Sequence, residues 1–196
     1  MNLICALQDY AWIAIVAVVI VLIVIIVCMF ISYYNKFVKS RNNVEESFSA
    51  MDVHLKKRYD LIPNLVNTVK GYAKHEKDTL EAVINARNLA NNSVSTDEKI
   101  KNEAALTSAL KSLLAVAEQY PALQANANFI DLQNTLKSIE EEIAHSRKYY
   151  NARVKVHNTS LEVFPGVIFA KIFKQKKFEF FVVDDEKERK NIKVEF

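Results

Sequence analysis

From Tyr10 through Ile31 every residue is apolar or aromatic, a run of 22 positions without one charge. At ~1.5 Å per residue a helix of that length covers ~33 Å, enough to cross a hydrocarbon core of ~30 Å. The run is rich in β-branched Val and Ile, which are weak helix formers in water, but lipid offers the backbone no partner outside the helix itself. A cleaved signal peptide would carry a basic start, a shorter apolar core and a small-x-small end. Here no Lys or Arg precedes Tyr10 and the run closes on Met29-Phe30-Ile31, so it reads as a retained transmembrane anchor over 10–31, with 1–9 as an extracytoplasmic stub. Lys36, Lys39 and Arg41 follow closely, and the excess of cations on that side predicts a single-pass protein of the cytoplasmic (inner) membrane, N-terminus outside and bulk inside. Cys5 and Cys28 are the only cysteines and give the soluble part no disulfide framework.

Glycine is the second constraint. Gly71 and Gly166 are the only two in 196 residues. A phosphate-cradling loop needs several, and neither GxGxxG nor GxxxxGK[ST] occurs, which excludes P-loop and dinucleotide-binding architectures. Sandwiches and barrels need frequent left-handed turn residues, whereas long runs without Gly or Pro are written for helices. The fold class is all-α. A formal net charge of +3, with no long block of one sign, gives no footprint for nucleic acid.

Beyond the anchor, Tyr34, Phe37, Val44, Phe48, Met51, Leu55, Tyr59 and Ile62 recur at steps of three and four, with Arg41 interrupting the stripe. No Gly or Pro separates this helix from the anchor, so residues 10–62 read as one rod of roughly 80 Å. Pro63 predicts a tight corner with Asp60 capping a new helix; a kinked continuous helix is the alternative, because Leu55, Tyr59, Ile62, Val66 and Val69 keep one phase across it. The second helix then runs to about Ala90. Ser95 and Glu98 form a capping box for a third, ending at Pro121, and a fourth follows the Asn126–Asn128 turn and ends by Pro165-Gly166. Four long amphipathic helices with short links predict an up-and-down four-helix bundle over 32–165.

Residues 166–196 have another texture, aromatic and basic, and read as a short irregular or β-like tail. Phe169, Phe173, Phe178, Phe180 and Phe181 stand among Lys171, Lys174, Lys176 and Lys177, so the segment either straps the bundle or touches a membrane surface. Asp184 to Lys190 reads as a solvated, charged tip.

Polar residues near stripe positions are the candidates for more than packing: Arg41, Asp52, Glu76, Glu140 and Arg147, expected to pair and so fix helix register or receive a partner. A carboxylate-bridged metal site would need a Glu-x-x-His on each of two helices. One occurs, Glu142-Ile143-Ala144-His145, lying off the stripe; His75-Glu76 lacks a second His at position 79, which is Thr79. His54 and His157 have no ligand partner at local spacing, and no nucleophile has a base beside it. Neither catalytic residue, metal nor cofactor is expected.

Several strings together resemble the LemA family of bacterial membrane proteins. They include Arg41-Asn42-Asn43-Val44, the long stretch from Asp52 to Val66 containing Arg58-Tyr59-Asp60-Leu61-Ile62-Pro63-Asn64-Leu65, and Val69-Lys70-Gly71-Tyr72-Ala73. Glu118-Gln119-Tyr120-Pro121-Ala122-Leu123, Asn126, Ser146-Arg147-Lys148-Tyr149-Tyr150-Asn151, Asn158-Thr159 and Phe164-Pro165 continue the likeness, which covers about residues 10–173. Asp60, Pro63, Asn64, Lys70, Tyr72, Tyr120, Pro121, Asn126, Tyr150 and Asn151 are the family-motif positions. The resemblance implies a single-span anchor, a cytoplasmic bundle of long helices and no established enzymatic activity. After Phe173 the chain departs from the family, whose members often carry a Gly-Phe pair and later a proline there, whereas Lys174-Gln175-Lys176-Lys177 intervenes here.

The expected function is a non-enzymatic, membrane-anchored scaffold or adaptor that self-associates or docks a protein partner, with no small-molecule substrate. Membrane-surface binding or shaping through the Phe/Lys tail is the alternative, and a carboxylate-bridged metal enzyme the third.

Overall fold

The structure, a computed structural model, describes residues 2–182, with side chains from Trp12 onward. The expected charged tip at Asp184 to Lys190 lies outside the described residues. Among the described residues six helices follow in order: α1 Asn2–Tyr72, α2 Lys77–Asn91, α3 Thr96–Ala117, α4 Pro121–Gln124, α5 Ala127–Glu162 and α6 Gly166–Ile172. The described residues contain no strand. The chain divides into two compact units, one formed by the segment ending at Val44 with Arg153–Phe178, the other by Glu45–Ala152 with the segment beginning at Glu179. Helices α1 and α5 each contribute to both.

The expected corner at Pro63 does not form. Residue 63 lies inside α1, Asp60 is an exposed mid-helix residue rather than a cap, and the helix that was to run on to Ala90 breaks instead at 73–76. The proline nitrogen has no hydrogen to give the Tyr59 carbonyl four residues back. Arg87 of α2 supplies the missing donor, its Nε reaching the Tyr59 oxygen at 3.0 Å. Burial also holds the helix on course: Leu55, Tyr59, Ile62, Val66 and Val69 all face the core of the second unit, and a corner would expose half of that stripe.

In the second unit α1 is joined by α2, α3 and the first part of α5. Helices α2 and α3 pack on each other, bringing Leu80 and Val83 toward the core that also receives Leu106, Leu110 and Leu113. Ser95 caps α3 as its sequence predicts: its side chain accepts from the Glu98 amide at 3.2 Å, while the Glu98 carboxylate reaches back to the Val94 amide at 3.1 Å. Asn126 caps α5 by accepting from the Phe129 amide at 3.0 Å.

In the first unit the stretch from Trp12 to Val27 is exposed along its whole length and makes no core. Packing begins at its end. Phe37, Leu161, Phe169 and Ala170 form a buried cluster, with Met29, Tyr33 and Phe173 against it. The expected irregular tail therefore starts as a helix, α6, because Phe169, Ala170 and Phe173 share one face at helical spacing and find α1 to bury it on. Gly166 permits that approach: a Cβ there would sit 2.4 Å from the Ser160 carbonyl oxygen. Helix α6 ends in a Schellman motif, with Gln175 N–H on the Ala170 oxygen at 2.9 Å and Lys174 N–H on the Lys171 oxygen at 3.2 Å. Lys174 takes the left-handed position, φ 50°, at a site that favours glycine.

The repair of the proline gap is testable by a double-mutant cycle. Arg87→Met is expected to cost about 1.5–3 kcal/mol, the range for a hydrogen bond from a charged donor. In a Pro63→Ala background the new N–H takes over and that cost falls by about 1 kcal/mol or more, read by chemical denaturation in detergent.

Candidate functional site

The most unusual group of side chains lies in the core of the second unit. Arg58, 1% exposed, projects from α1 between Leu55 and Ile62. Its Nη2 donates to Glu103 Oε2 of α3, which is equally buried, and its Nη1 donates to Glu140 Oε1 of α5 at 2.7 Å and to Thr107 Oγ1 at 3.3 Å. Tyr59 donates its hydroxyl to the other oxygen of Glu103. Burial pushes the Tyr59 phenol up to about 12, outweighing the pull of Arg58, so it remains a donor at neutral pH. One cation thus meets two carboxylates. The excess negative charge is tolerable because the Glu140 side chain is 37% exposed and keeps water on one side. Arg58 Nε is buried with no hydrogen-bond partner.

Glu140 and Thr107 also edge an open groove of about 610 Å³ between α3 and α5, whose walls include Leu110, Leu114 and Leu136. A second groove of about 620 Å³ runs between the end of α1 and α2, with Lys70, Lys74 and Lys77 on its rim. Among the described residues no group of three or more His, Cys, Asp or Glu side chains is placed to hold a metal ion.

The other expected polar residues are distributed differently. Asp52 pairs with Lys99 of α3 at 2.5 Å. Glu140 finds Arg58 rather than Arg147, which is half-buried one heptad further along α5. Arg41 is exposed on α1. Glu76 stands at the start of α2 and accepts from the Tyr120 hydroxyl at 3.2 Å, while Asn126 donates to the Tyr72 hydroxyl at 2.8 Å. These two latches bring four of the expected residues to the junction where α1 ends and α2, α4 and α5 begin. Asp60, Asn64 and Lys70 are exposed along α1, and Pro121 opens α4 as its first residue.

The segment after α6 is held by α5 through backbone contacts. Within the second unit, Asn151 Nδ2 donates to the Phe181 carbonyl at 3.0 Å and its Oδ1 accepts from the Phe181 amide at 2.8 Å; Tyr150 donates to the Glu179 carbonyl at 3.0 Å. Within the first unit, Asn158 makes the same two-way clasp on Phe178, at 2.9 and 3.0 Å. Beside it His157 is fully buried, its Nε2 3.1 Å from the Lys176 carbonyl and its Nδ1 3.3 Å from Ser40 Oγ. A carbonyl only accepts, so Nε2 carries the proton and Nδ1 accepts from Ser40. Burial lowers the His157 pKa, helped by nearby Arg41 and opposed by the Lys176 carbonyl. Lys171, Lys174, Lys176 and Lys177 are all exposed, with Lys177 paired to Glu162.

Sequence reasoning passed over Arg58, Glu103 and Arg87. The signal for the first two was present. Arg58 falls three residues after Leu55 and four before Ile62, and Glu103 falls midway between Ile100 and Leu106, so both occupy buried-face positions.

Arg58→Met is expected to cost about 3–5 kcal/mol by leaving Glu103 buried and unpaired, with part of the loss recovered in Arg58→Met/Glu103→Gln; thermal or urea unfolding reads both. Acidity should act on His157. Because its folded pKa lies below 6.5, the unfolded chain binds a proton that the folded imidazole refuses. The stability it contributes is complete above pH 6.5 and is lost as the pH falls from there toward the depressed folded value. Hydrogen exchange at the Phe178 amide, corrected for intrinsic rate, should accelerate over that window, and His157→Gln should flatten the response.

Comparison with known proteins accords with these motifs. Residues 47–196 match the LemA family. The magnetosome protein MamQ of Magnetospirillum gryphiswaldense is 22% identical over 174 residues, covering 76% of this chain and 64% of that protein. Protein LemA of Metamycoplasma hominis is 22% identical over 137 residues, covering 69% and 63%. Magnetosome protein MamQ 2 of Paramagnetospirillum magneticum is 34% identical over 73 residues, covering 37% and 27%. The chain spans less than two thirds of the length of these relatives. With the family match extending over more than half of its residues, and with the Asp52–Val66 and Tyr120–Asn126 strings placed as described, the chain belongs to the LemA family.

Proposed function

We propose that this protein is a non-enzymatic, membrane-anchored scaffold. The apolar stretch 10–31 serves as its single-pass anchor in the cytoplasmic membrane, with the N-terminus outside. Residues 32–165 form an up-and-down bundle of four long helices on the inner side, which self-associates or docks a protein partner. One observation carries the reading: the buried charges of the second unit are spent on one another. Arg58 ties Glu103 and Glu140 across three helices and Tyr59 takes the other oxygen of Glu103, so the polar core acts as a register lock. The faces offered outward are shallow grooves rimmed by lysines or leucines, suited to helices or peptides of a partner. The anchor reading is supported by the apolar, fully exposed part of α1 near the N-terminus, which is long enough to cross a bilayer.

Lysine-directed crosslinking of the full chain in its native membrane should yield a ladder of multimers or a discrete adduct, and monomer alone at native abundance would overturn the scaffold reading. A reporter fused after Phe196 should be active on the cytoplasmic side; activity outside would reverse the topology.

A further inference from the structure

Helix α6 uses one face to pack on α1 and leaves another bare. The packed face meets α1 at the end of the apolar run. Phe169 lies edge-on to Phe30 with ring centroids 5.0 Å apart, and Phe173 meets the same ring at 6.0 Å. Tyr33 stacks on Phe169 at 4.6 Å with the planes 11° apart. Phe30 is the next-to-last residue of the stretch proposed to span the bilayer, so a helix in ring contact with it sits within one turn of the hydrocarbon boundary.

The bare face is apolar. Ile168 is 48% and Ile172 51% exposed, one turn apart on α6, and Phe164, 80% exposed, stands in the turn just before the helix. In water such a row is a liability, whereas at the depth fixed by Phe30 it borders lipid. The exposed cations Lys171 and Lys174 flank it, the arrangement by which an interfacial segment meets headgroup phosphates while its apolar side chains reach the acyl chains.

We propose that α6 is a second membrane contact of this protein, lying in the bilayer interface through Ile168 and Ile172, together with Phe164 of the turn before it, and with Lys171 and Lys174 among anionic headgroups. It rests on the reading of residues 10–31 as a bilayer-spanning anchor. It differs from a lysine-led tail attraction in placing the apolar row, rather than the charge, in lipid. The role assigned to α6 is to fix the tilt and depth of the anchor from the side, a task an isolated span performs poorly.

Trp12 is the only tryptophan and provides the internal control. The full chain would be reconstituted into phosphatidylcholine–phosphatidylglycerol vesicles whose acyl chains carry bromine, a short-range quencher, either near the headgroup or deep in the core. Quenching of Trp12 in the parent chain reports the anchor itself. Ile168→Trp in a Trp12→Phe background reports α6, and Phe164→Trp in the same background reports the turn before it. Bromine near the headgroup should quench both new tryptophans at least about twofold, and aqueous iodide should quench them weakly, as expected for side chains at the headgroup–acyl boundary. If Trp12 is quenched while the new tryptophans are quenched by iodide and not by bromine, α6 is in water and the proposal is overturned with the anchor intact. If neither agent reaches them, protein covers the row and the proposal is equally overturned. If Trp12 itself escapes bromine, the anchor reading fails and this proposal falls with it.

Discussion

A guanidinium with 1% of its surface in water keeps its charge inside a helical core only if carboxylates accompany it, and Glu103 and Glu140 arrive from two other helices to do so. That requirement organises the second unit. Sliding α3 or α5 by one turn, about 5.4 Å, would carry its carboxylate out of reach of Arg58, and no neighbouring position would replace it. Leucine and alanine stripes pack nearly as well one turn displaced, so apolar burial supplies most of the stabilisation while the ion cluster selects one register. Thr107 and Tyr59 each add a hydrogen bond to the cluster and make it a network rather than a pair, although Arg58 Nε stays buried without a partner.

Pro63 shows why local rules are overridden in a chain of this kind. Read alone, Asp60-Leu61-Ile62-Pro63 is a plausible helix start, and the sequence contains no local indication that another helix will donate to the orphaned carbonyl. Arg87 lies 24 residues further on, in α2, and its service to Tyr59 is legible only once those helices are side by side. The stripe that keeps its phase through the proline was the better witness, because it reports what the whole face buries rather than what one bond loses. The same distinction separates the rest. The apolar run, the capping box at Ser95, the turn at Asn126 and the all-helical class were readable from spacing alone. The partners of Glu140, Asp52 and Glu76 were not, since pairing between helices depends on their rotation and offset. Arg58 and Glu103 were readable in principle, hidden because charged residues at core positions were sought as interruptions of the stripe and not as members of it.

Scarcity of glycine gives each occurrence a separate meaning. Gly71 sits in α1 with open space where a Cβ would go, whereas at Gly166 the backbone of α5 fills that space at 2.4 Å. Only the second is a steric necessity. It brings the start of α6 against the Ser160 carbonyl and beside Tyr33, so the aromatic stack on Phe169 depends on one missing methyl group.

Asn151 and Asn158 each grip a downstream residue by its amide and carbonyl together, as a strand grips its neighbour, though neither partner is a strand. Contacts of this kind read the peptide group and ignore what is attached to it. The grip on the peptide group fixes only where the chain runs; the ring each residue carries seats it as well, Phe181 with 3% of its surface in water and Phe178 edge-on to His157 at 5.1 Å, so both positions are doubly moored, by backbone and by side chain.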